Sequence, residues 1–157
     1  MIDERATHLV LGSMPGAESL RQQQYYAYPR NRFWPLMAQI LWQQETPPAC
    51  YAERIAKLQA HGVALWDVIA RCRREGSLDS SIRAEEPADI PALLAKYPRL
   101  HVLCLNGGKA ASALKKFHRA LLADAHLTIY FLPSTSPANA HWSLPKLIEV
   151  WSQAGFA

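Results

Sequence analysis

Apolar residues fall along this chain in two kinds of run. Short uninterrupted runs sit at 7–12 (Thr-His-Leu-Val-Leu-Gly), 63–66 (Val-Ala-Leu-Trp), 101–105 (His-Val-Leu-Cys-Leu) and 127–132. They lack polar alternation, which is the pattern of strands covered on both faces. Between them, apolar residues recur at helical spacing. Phe33, Leu36, Met37, Ile40 and Leu41 predict a helix over 33–42, with Pro35 in its first turn, and residues 51–60 predict a second that closes at His61-Gly62. Further helices are predicted over 90–97, from Lys109 to about Leu122, and over 143–153 with Gly155 as a stop signal. Residues 71–88 form a long polar stretch that predicts a loop without structure of its own, a kind of loop that is usually functional or mobile. The polar stretch Arg21 to Gln24 predicts no element.

Strands alternating with helices predict an α/β fold, a parallel sheet between helical layers. Ligands bind such sheets beyond the carboxyl ends of the strands. Each run here ends in residues unusual for a strand: Gly12-Ser13-Met14-Pro15-Gly16, Asp67, Asn106-Gly107-Gly108 and Pro133 to Pro137. That convergence marks a site before any chemistry is considered.

The 157 residues suit one domain spanning 1–157. A net charge of +4 and a pI near 9.1 are compatible with a polyanionic partner without requiring one. The three cysteines, Cys50, Cys72 and Cys104, are widely spaced, so neither a disulfide framework nor a C-x-x-C metal site is expected. No His-x-x-x-His or His-Glu-x-x-His pattern occurs. The reading is therefore of a chain with no metal and no cofactor. No apolar stretch reaches membrane-spanning length and Met1 to Arg5 do not resemble a signal peptide, which predicts a cytoplasmic protein, read here as a monomer.

Three segments carry specific chemistry. The first is Gly12 to Gly16, which by itself is also an ordinary strand-to-helix turn. The second is Tyr28-Pro29-Arg30-Asn31-Arg32-Phe33-Trp34. The third is Ser134-Thr135-Ser136-Pro137-Ala138-Asn139-Ala140-His141. Together they resemble the uracil-DNA glycosylase superfamily over about residues 7 to 155. The first resembles its Gly-x-x-Pro-Gly turn, the second a segment of the mismatch-specific members, and the third the Ser-Pro loop that enters the DNA minor groove. The resemblance implies a three-layer α/β/α sandwich with a four-stranded parallel sheet. It also implies a base-excising enzyme acting on double- or single-stranded DNA that contains a deaminated base.

Pro-Arg-Asn-Arg-Phe-Trp with Gly-Ser-Met-Pro-Gly resembles the deoxyinosine branch in particular. Met14 stands where uracil-removing members often carry Asp or Asn, and Leu132-Pro133-Ser134 stands where they often carry His-Pro-Ser. Ala138 stands where some members insert a bulky apolar wedge, which leaves Trp142 and Leu144 as substitutes. These departures favour hypoxanthine over uracil.

The resemblance implies roles residue by residue. Asn31 is the catalytic candidate, since a neutral amide can accept from water and donate to a base or sugar, although Asn before an apolar run is also a helix cap. Phe33 would stack on the extruded base, or serve as a core aromatic. Ser13 and Met14 would border the base. Asp67 or Asn106 would accept the N1–H of hypoxanthine, while adenine would leave such a group unpaired; Asp67 could equally cap the next segment. Pro15, Gly16, Arg30, Arg32, Ser134, Thr135, Ser136, Pro137, Ala138 and Asn139 would approach DNA, with Arg71, Arg73 and Arg74 making 71–88 a DNA-facing flap. Turn-forming serines and a solvated basic surface are the plainer alternatives. Asn106-Gly107-Gly108-Lys109 lacks the spacing of a triphosphate loop. No lysine stands convincingly at the site, so an intact abasic strand is the expected product, with Lys109 the first suspect otherwise.

Overall fold

The computed structural model describes residues 1–156. β1 (His8–Gly12), β2 (Val63–Asp67), β5 (Val102–Asn106) and β6 (Thr128–Leu132) form one sheet in the order β2-β1-β5-β6, parallel throughout. Because side chains alternate along a strand, Leu9 and Leu11 enter one layer of core while Val10 enters the other. The first layer is closed by α4 (Ile90–Lys96) and α5 (Gly108–Phe117) through Ile90, Ala110, Ala113 and Leu114. The second is closed by α2 (Phe33–Trp42), α3 (Tyr51–Ala60) and α6 (Leu144–Trp151) through Phe33, Trp34, Leu36, Met37, Leu58, Leu147 and Trp151. Both faces of the central strands β1 and β5 are thus dry, which explains why they read as continuous apolar runs, while the edge strand β6 stays partly exposed. The architecture is the three-layer α/β/α sandwich that the sequence predicts.

α2 and α3 coincide with their predicted spans. Three other segments differ from expectation. The helix predicted from Lys109 to about Leu122 ends as α5 at Phe117, and a 3₁₀ turn follows at Arg119–Ala123. Residues 71–88 are not a structureless loop: β3 (Ile69–Arg73) and β4 (Arg83–Pro87) pair antiparallel, with register shifts, around a 3₁₀ turn at Asp79–Ser81. Their charged side chains hide the strand pattern, because both strands are mostly exposed: Ile69 is buried, Cys72 partly so, and Ile82, which also reaches the core, lies just before β4. Residues Ala17–Gln22 form a short helix, α1, in which Leu20 is the sole large apolar side chain and is itself exposed. With no buried face, α1 leaves no periodic trace in the sequence. No helix among the described residues is long and apolar enough to cross a membrane.

Candidate functional site

Strand register brings the predicted strand-end residues to one place. β1 and β2 pair so that Gly12 lies opposite Asp67, and β5 and β6 so that Asn106 lies opposite Leu132. Above these ends opens a cavity of about 1520 Å³. Its wall includes Gly12 to Gly16, Tyr25, Tyr26, Asn31, Asp67, Asn106, Ser134 to Asn139 and Trp142. Of the predicted site residues, Phe33, Arg30 and Arg32 lie outside that wall, as do Arg71, Arg73 and Arg74 of the predicted flap and the wedge substitute Leu144.

Asp67 ends β2 with its carboxylate folded over Gly12. A Cβ on Gly12 would lie 2.6 Å from Asp67 Oδ1, so the missing side chain is what makes room for the carboxylate. Asp67 makes no side-chain hydrogen bond among the described residues, which leaves the helix-cap alternative without support. Burial, reinforced by Asp79, outweighs the attraction of the Met1 amine and Arg74 and pushes the carboxyl up to about 7. The group therefore changes charge in the neutral range while facing a cavity.

Asn106 is committed elsewhere. Its Nδ2 donates to Tyr26 Oη at 3.2 Å and to Thr135 Oγ1 at 3.1 Å, and its Oδ1 accepts from Thr135 N at 3.0 Å. Both amide protons are used, so Asn106 clamps the Ser-Pro loop to the sheet, and Asp67 is left as the edge-reading candidate of the two.

Tyr26 is an aromatic of the cavity wall that lies outside the three sequence motifs. Its backbone sits at φ 54°, a left-handed conformation that costs a non-glycine residue roughly 1–2 kcal/mol. The Asn106 hydrogen bond and a ring stack on Phe33, centroids 4.1 Å apart, hold it there. Phe33 itself is 0% exposed, because it opens α2 on the side facing the core and meets Trp34 and Trp151 edge-on. The predicted stacking role of Phe33 is thus displaced by one layer: Phe33 backs Tyr26, and the Tyr26 ring borders the cavity. Burial and the nearby Asp67 raise the Tyr26 phenol above its usual range, so its hydroxyl stays protonated. The run Tyr25-Tyr26-Ala27-Tyr28 before the Asn-Arg-Phe-Trp element was the available signal for this residue.

The capping reading of Asn31 has a hydrogen bond behind it: its Oδ1 accepts from Phe33 N at 2.9 Å, one residue before the N-cap Arg32 of α2. Its Nδ2 bonds no described residue, and the side chain borders the cavity.

Arg32 does not point to DNA. Its guanidinium donates to the carbonyls of Thr135 (3.3 Å), Ser136 (2.8 Å), Asn139 (3.0 Å) and Trp142, and its backbone N–H also reaches Thr135 O at 3.1 Å. A planar five-donor group suits this inward fan of acceptors, which a lysine could not satisfy. Nothing local to Arg32 betrays these partners, all more than 100 residues away. Arg32→Ala would strand four carbonyls at once. We expect it to cost ~2–4 kcal/mol, with residues 133–142 becoming the first segment cut in limited proteolysis. A melting temperature and cleavage pattern equal to wild type would contradict this role.

The rest of the Ser-Pro loop is locked by its own bonds. Ser134 Oγ accepts from Ser136 N, Ser136 Oγ accepts from Ala138 N, and Asn139 Nδ2 donates to Ser134 O. Gly107, at φ 98°, lets the loop approach so closely that a Cβ there would lie 2.9 Å from Ser134 Cβ. Ser134 and Ser136 only accept, so their hydroxyl protons remain to donate. Thr135 is 1% exposed and bound to Asn106, so it is structural. Pro137 is half-buried and Ala138 exposed at the tip. Arg30 is exposed.

The flap of β3 and β4 closes over the Gly-Ser-Met-Pro-Gly turn. Ser13 Oγ donates to Asp79 at 2.6 Å, Ala17 N donates to Ser77 Oγ at 2.9 Å above Gly16, and Arg74 donates to Pro15 O. Arg74 is thereby an internal tie, and Ser13 is tied to the flap while still bordering the cavity. Met14 is half-buried against the core beneath. Arg71 and Arg73 remain exposed on the flap. Lys109 is paired with Glu85 and does not border the cavity. Among the described residues, no three His, Cys, Asp or Glu side chains gather as around a metal ion.

Comparison with known proteins agrees with this geometry. The family model of the uracil DNA glycosylase superfamily matches residues 1–154. A protein of Methanosarcina acetivorans named hypoxanthine DNA glycosylase is 37% identical over 143 residues, covering 91% of this chain and 87% of that one. One of Methanosarcina barkeri with the same name is 34% identical over 154 residues, covering 98% and 93%. A solution NMR structure from M. acetivorans, described as a candidate uracil DNA glycosylase, superposes with a TM-score of 0.79 at 33% identity, covering 98% of this chain and 93% of the other. By the extent of these matches, the chain belongs to the uracil DNA glycosylase superfamily.

Proposed function

We propose that this protein is a monofunctional DNA glycosylase that removes hypoxanthine from deoxyinosine in DNA. The relatives of high coverage carry that activity in their names. The observation that carries the reading in this chain is Asp67: an unpartnered, half-buried carboxyl on a cavity wall that also holds the Tyr26 ring and the Asn31 amide.

A base inside a duplex is out of reach, so it must first swing out of the stack into the cavity. The Tyr26 ring then offers a stacking face, a contact worth ~1–3 kcal/mol per base. Ionised Asp67 accepts the N1–H of hypoxanthine. Adenine presents a lone pair at N1 instead, which an acceptor-only carboxylate repels. As the C1′–N9 bond breaks, its electron pair leaves with the base while positive charge grows on the sugar. The free Nδ2 of Asn31 donates to the departing base, and a preorganised donor of this kind is worth ~3 kcal/mol. Water then adds to C1′ and loses a proton, leaving an abasic site in an intact strand. Lys109, held by Glu85, takes no part in this scheme. Ser134, Ser136 and the exposed Arg30, Arg71 and Arg73 hold phosphates around the cavity. The reading assigns no cofactor.

One assay tests it. Oligonucleotides carrying inosine, uracil or xanthine are incubated with the protein, and alkali-labile strand breaks and free base are measured. Release of hypoxanthine is expected to dominate. Release confined to uracil would move the substrate to the mismatch-type members of the family. Binding without release from any of the three would reduce the protein to a damage-binding module.

A further inference from the structure

The exposed positions of the Ser-Pro loop, Ala138, Ala140 and His141, offer no large apolar side chain to fill the gap left by an extruded nucleotide. The flap on the opposite side of the cavity presents much more. Leu78 is 57% exposed, the highest value among the large apolar side chains, and it borders the cavity. It stands in a polar segment, Glu75 to Ser81, where nothing requires an apolar residue for packing.

Both neighbours of Leu78 are tied down. Ser77 Oγ accepts from Ala17 N, and Asp79 accepts from Ser13 Oγ. Arg74 before it holds Pro15 O, and Ile82 after it is 3% exposed in the core. The leucine is therefore held out on a braced support rather than trailing on a free loop. The other apolar residues considered for this role are less suited. Leu20 also faces a second, smaller cavity beside Met14 and Trp66, and Phe131 lies under the Lys115 ammonium at 4.5 Å. Tyr28 is exposed but carries a polar hydroxyl, and Trp142 and Leu144, the substitutes named from the sequence, are half-buried against the core.

We propose that Leu78 is the wedge of this protein: it enters the base stack as the target nucleotide leaves it. Apolar side chains that insert between bases unstack and kink a duplex, and the same insertion would hold the vacated space open. The exposed Arg71 and Arg73 of the same flap would meet the backbone beside the insertion. The inference rests on the deoxyinosine reading above.

The test compares duplex with single-stranded inosine DNA, since a wedge matters only where there is a stack to open. Single-turnover hypoxanthine release would be measured for wild type, Leu78→Ala, Leu78→Met and Leu20→Ala. A 2-aminopurine next to the inosine would report unstacking. Leu78→Ala is expected to slow duplex release by ~10-fold or more, to suppress the 2-aminopurine rise, and to leave single-strand release at the wild-type rate. Leu78→Met, which restores length and apolarity, should recover most of the duplex rate. Equal loss on both substrates, no loss on either, or a duplex-specific loss with Leu20→Ala in place of Leu78→Ala would overturn the wedge assignment. If the wild-type protein released no hypoxanthine from either substrate, the deoxyinosine reading would fall and the wedge with it.

Discussion

Asn31→Ala is expected to slow single-turnover release of hypoxanthine by ~100-fold or more, the scale of one lost transition-state donor. DNA affinity should change little, because phosphate contacts supply most of it. The complication is the cap: Asn31 Oδ1 accepts from Phe33 N at the start of α2, so the alanine variant also loses ~1 kcal/mol of helix stability. Asn31→Asp separates the two effects. Aspartate caps as well as asparagine but has no amide proton to donate. Asn31→Asp should therefore melt like wild type and still release hypoxanthine slowly. If Asn31→Asp keeps the rate, the side chain works through its oxygen, by orienting water, and the donor role is wrong. If Asn31→Ala keeps the rate, Asn31 has no part in the chemistry at all.

The second large effect belongs to Asp67. Ionised, it only accepts, and it selects N1–H. Protonated, it both donates and accepts, and a neutral carboxyl can pair with the adenine edge as well as with hypoxanthine. Since the carboxyl is pushed up to about 7, the preference for inosine over adenosine sites should rise as pH increases from 5.5 to 8. Asparagine mimics the neutral form, and amides pair readily with adenine. Asp67→Asn should therefore lower the preference at pH 8 by ~10–100-fold, the scale of ~1–3 kcal/mol of base discrimination, and abolish its pH dependence.

Stability gives an independent readout with the sign fixed by linkage. Unfolded Asp67 releases its proton near its ordinary value of 3.8, and folded Asp67 only near 7. The folded state thus holds the proton more tightly, and stability falls as pH rises between those values and stays low above them. The cost at pH 8 is ~2–4 kcal/mol, with the lower figure applying if solvent in the cavity relieves part of it. Asp67→Asn should raise the melting temperature at pH 8 and leave it nearly unchanged at pH 4. A melting temperature that does not move at pH 8 would mean that the carboxyl ionises freely, and the proposed pH switch in base preference would lose its basis.

Much of this protein is legible from the chain alone. The uninterrupted runs at Leu9 to Leu11 and Val102 to Leu105 already imply strands covered on both faces, and helices lie on both. The glycines, prolines and polar residues at the strand ends mark where the cavity opens, because a parallel sheet puts all those ends on one side. Local pattern suffices for such features, since burial of a strand or a helix face is written in residues a few positions apart.

The assignment of individual side chains within the site needed the tertiary structure. Arg30 and Arg32 look alike in sequence, yet one is exposed and the other is spent on carbonyls over 100 residues distant. Asn106 and Asp67 both end strands. The partners of Asn106 come from Tyr26 and Thr135, whereas Asp67 meets only the gap above Gly12. Phe33 falls behind Tyr26 because α2 turns its first residue toward the core. The flap of β3 and β4 is invisible as strand because its pairing is sustained by backbone bonds and two buried isoleucines, not by alternation. The sheet, its covering layers and the end of the sheet where the site lies are written in the chain, because hydrophobic periodicity is a local record of burial. Which polar groups are satisfied by distant partners, and which remain free to meet a ligand, emerges with the folded arrangement, because hydrogen bonds across long chain separations leave no pattern in the residues that form them.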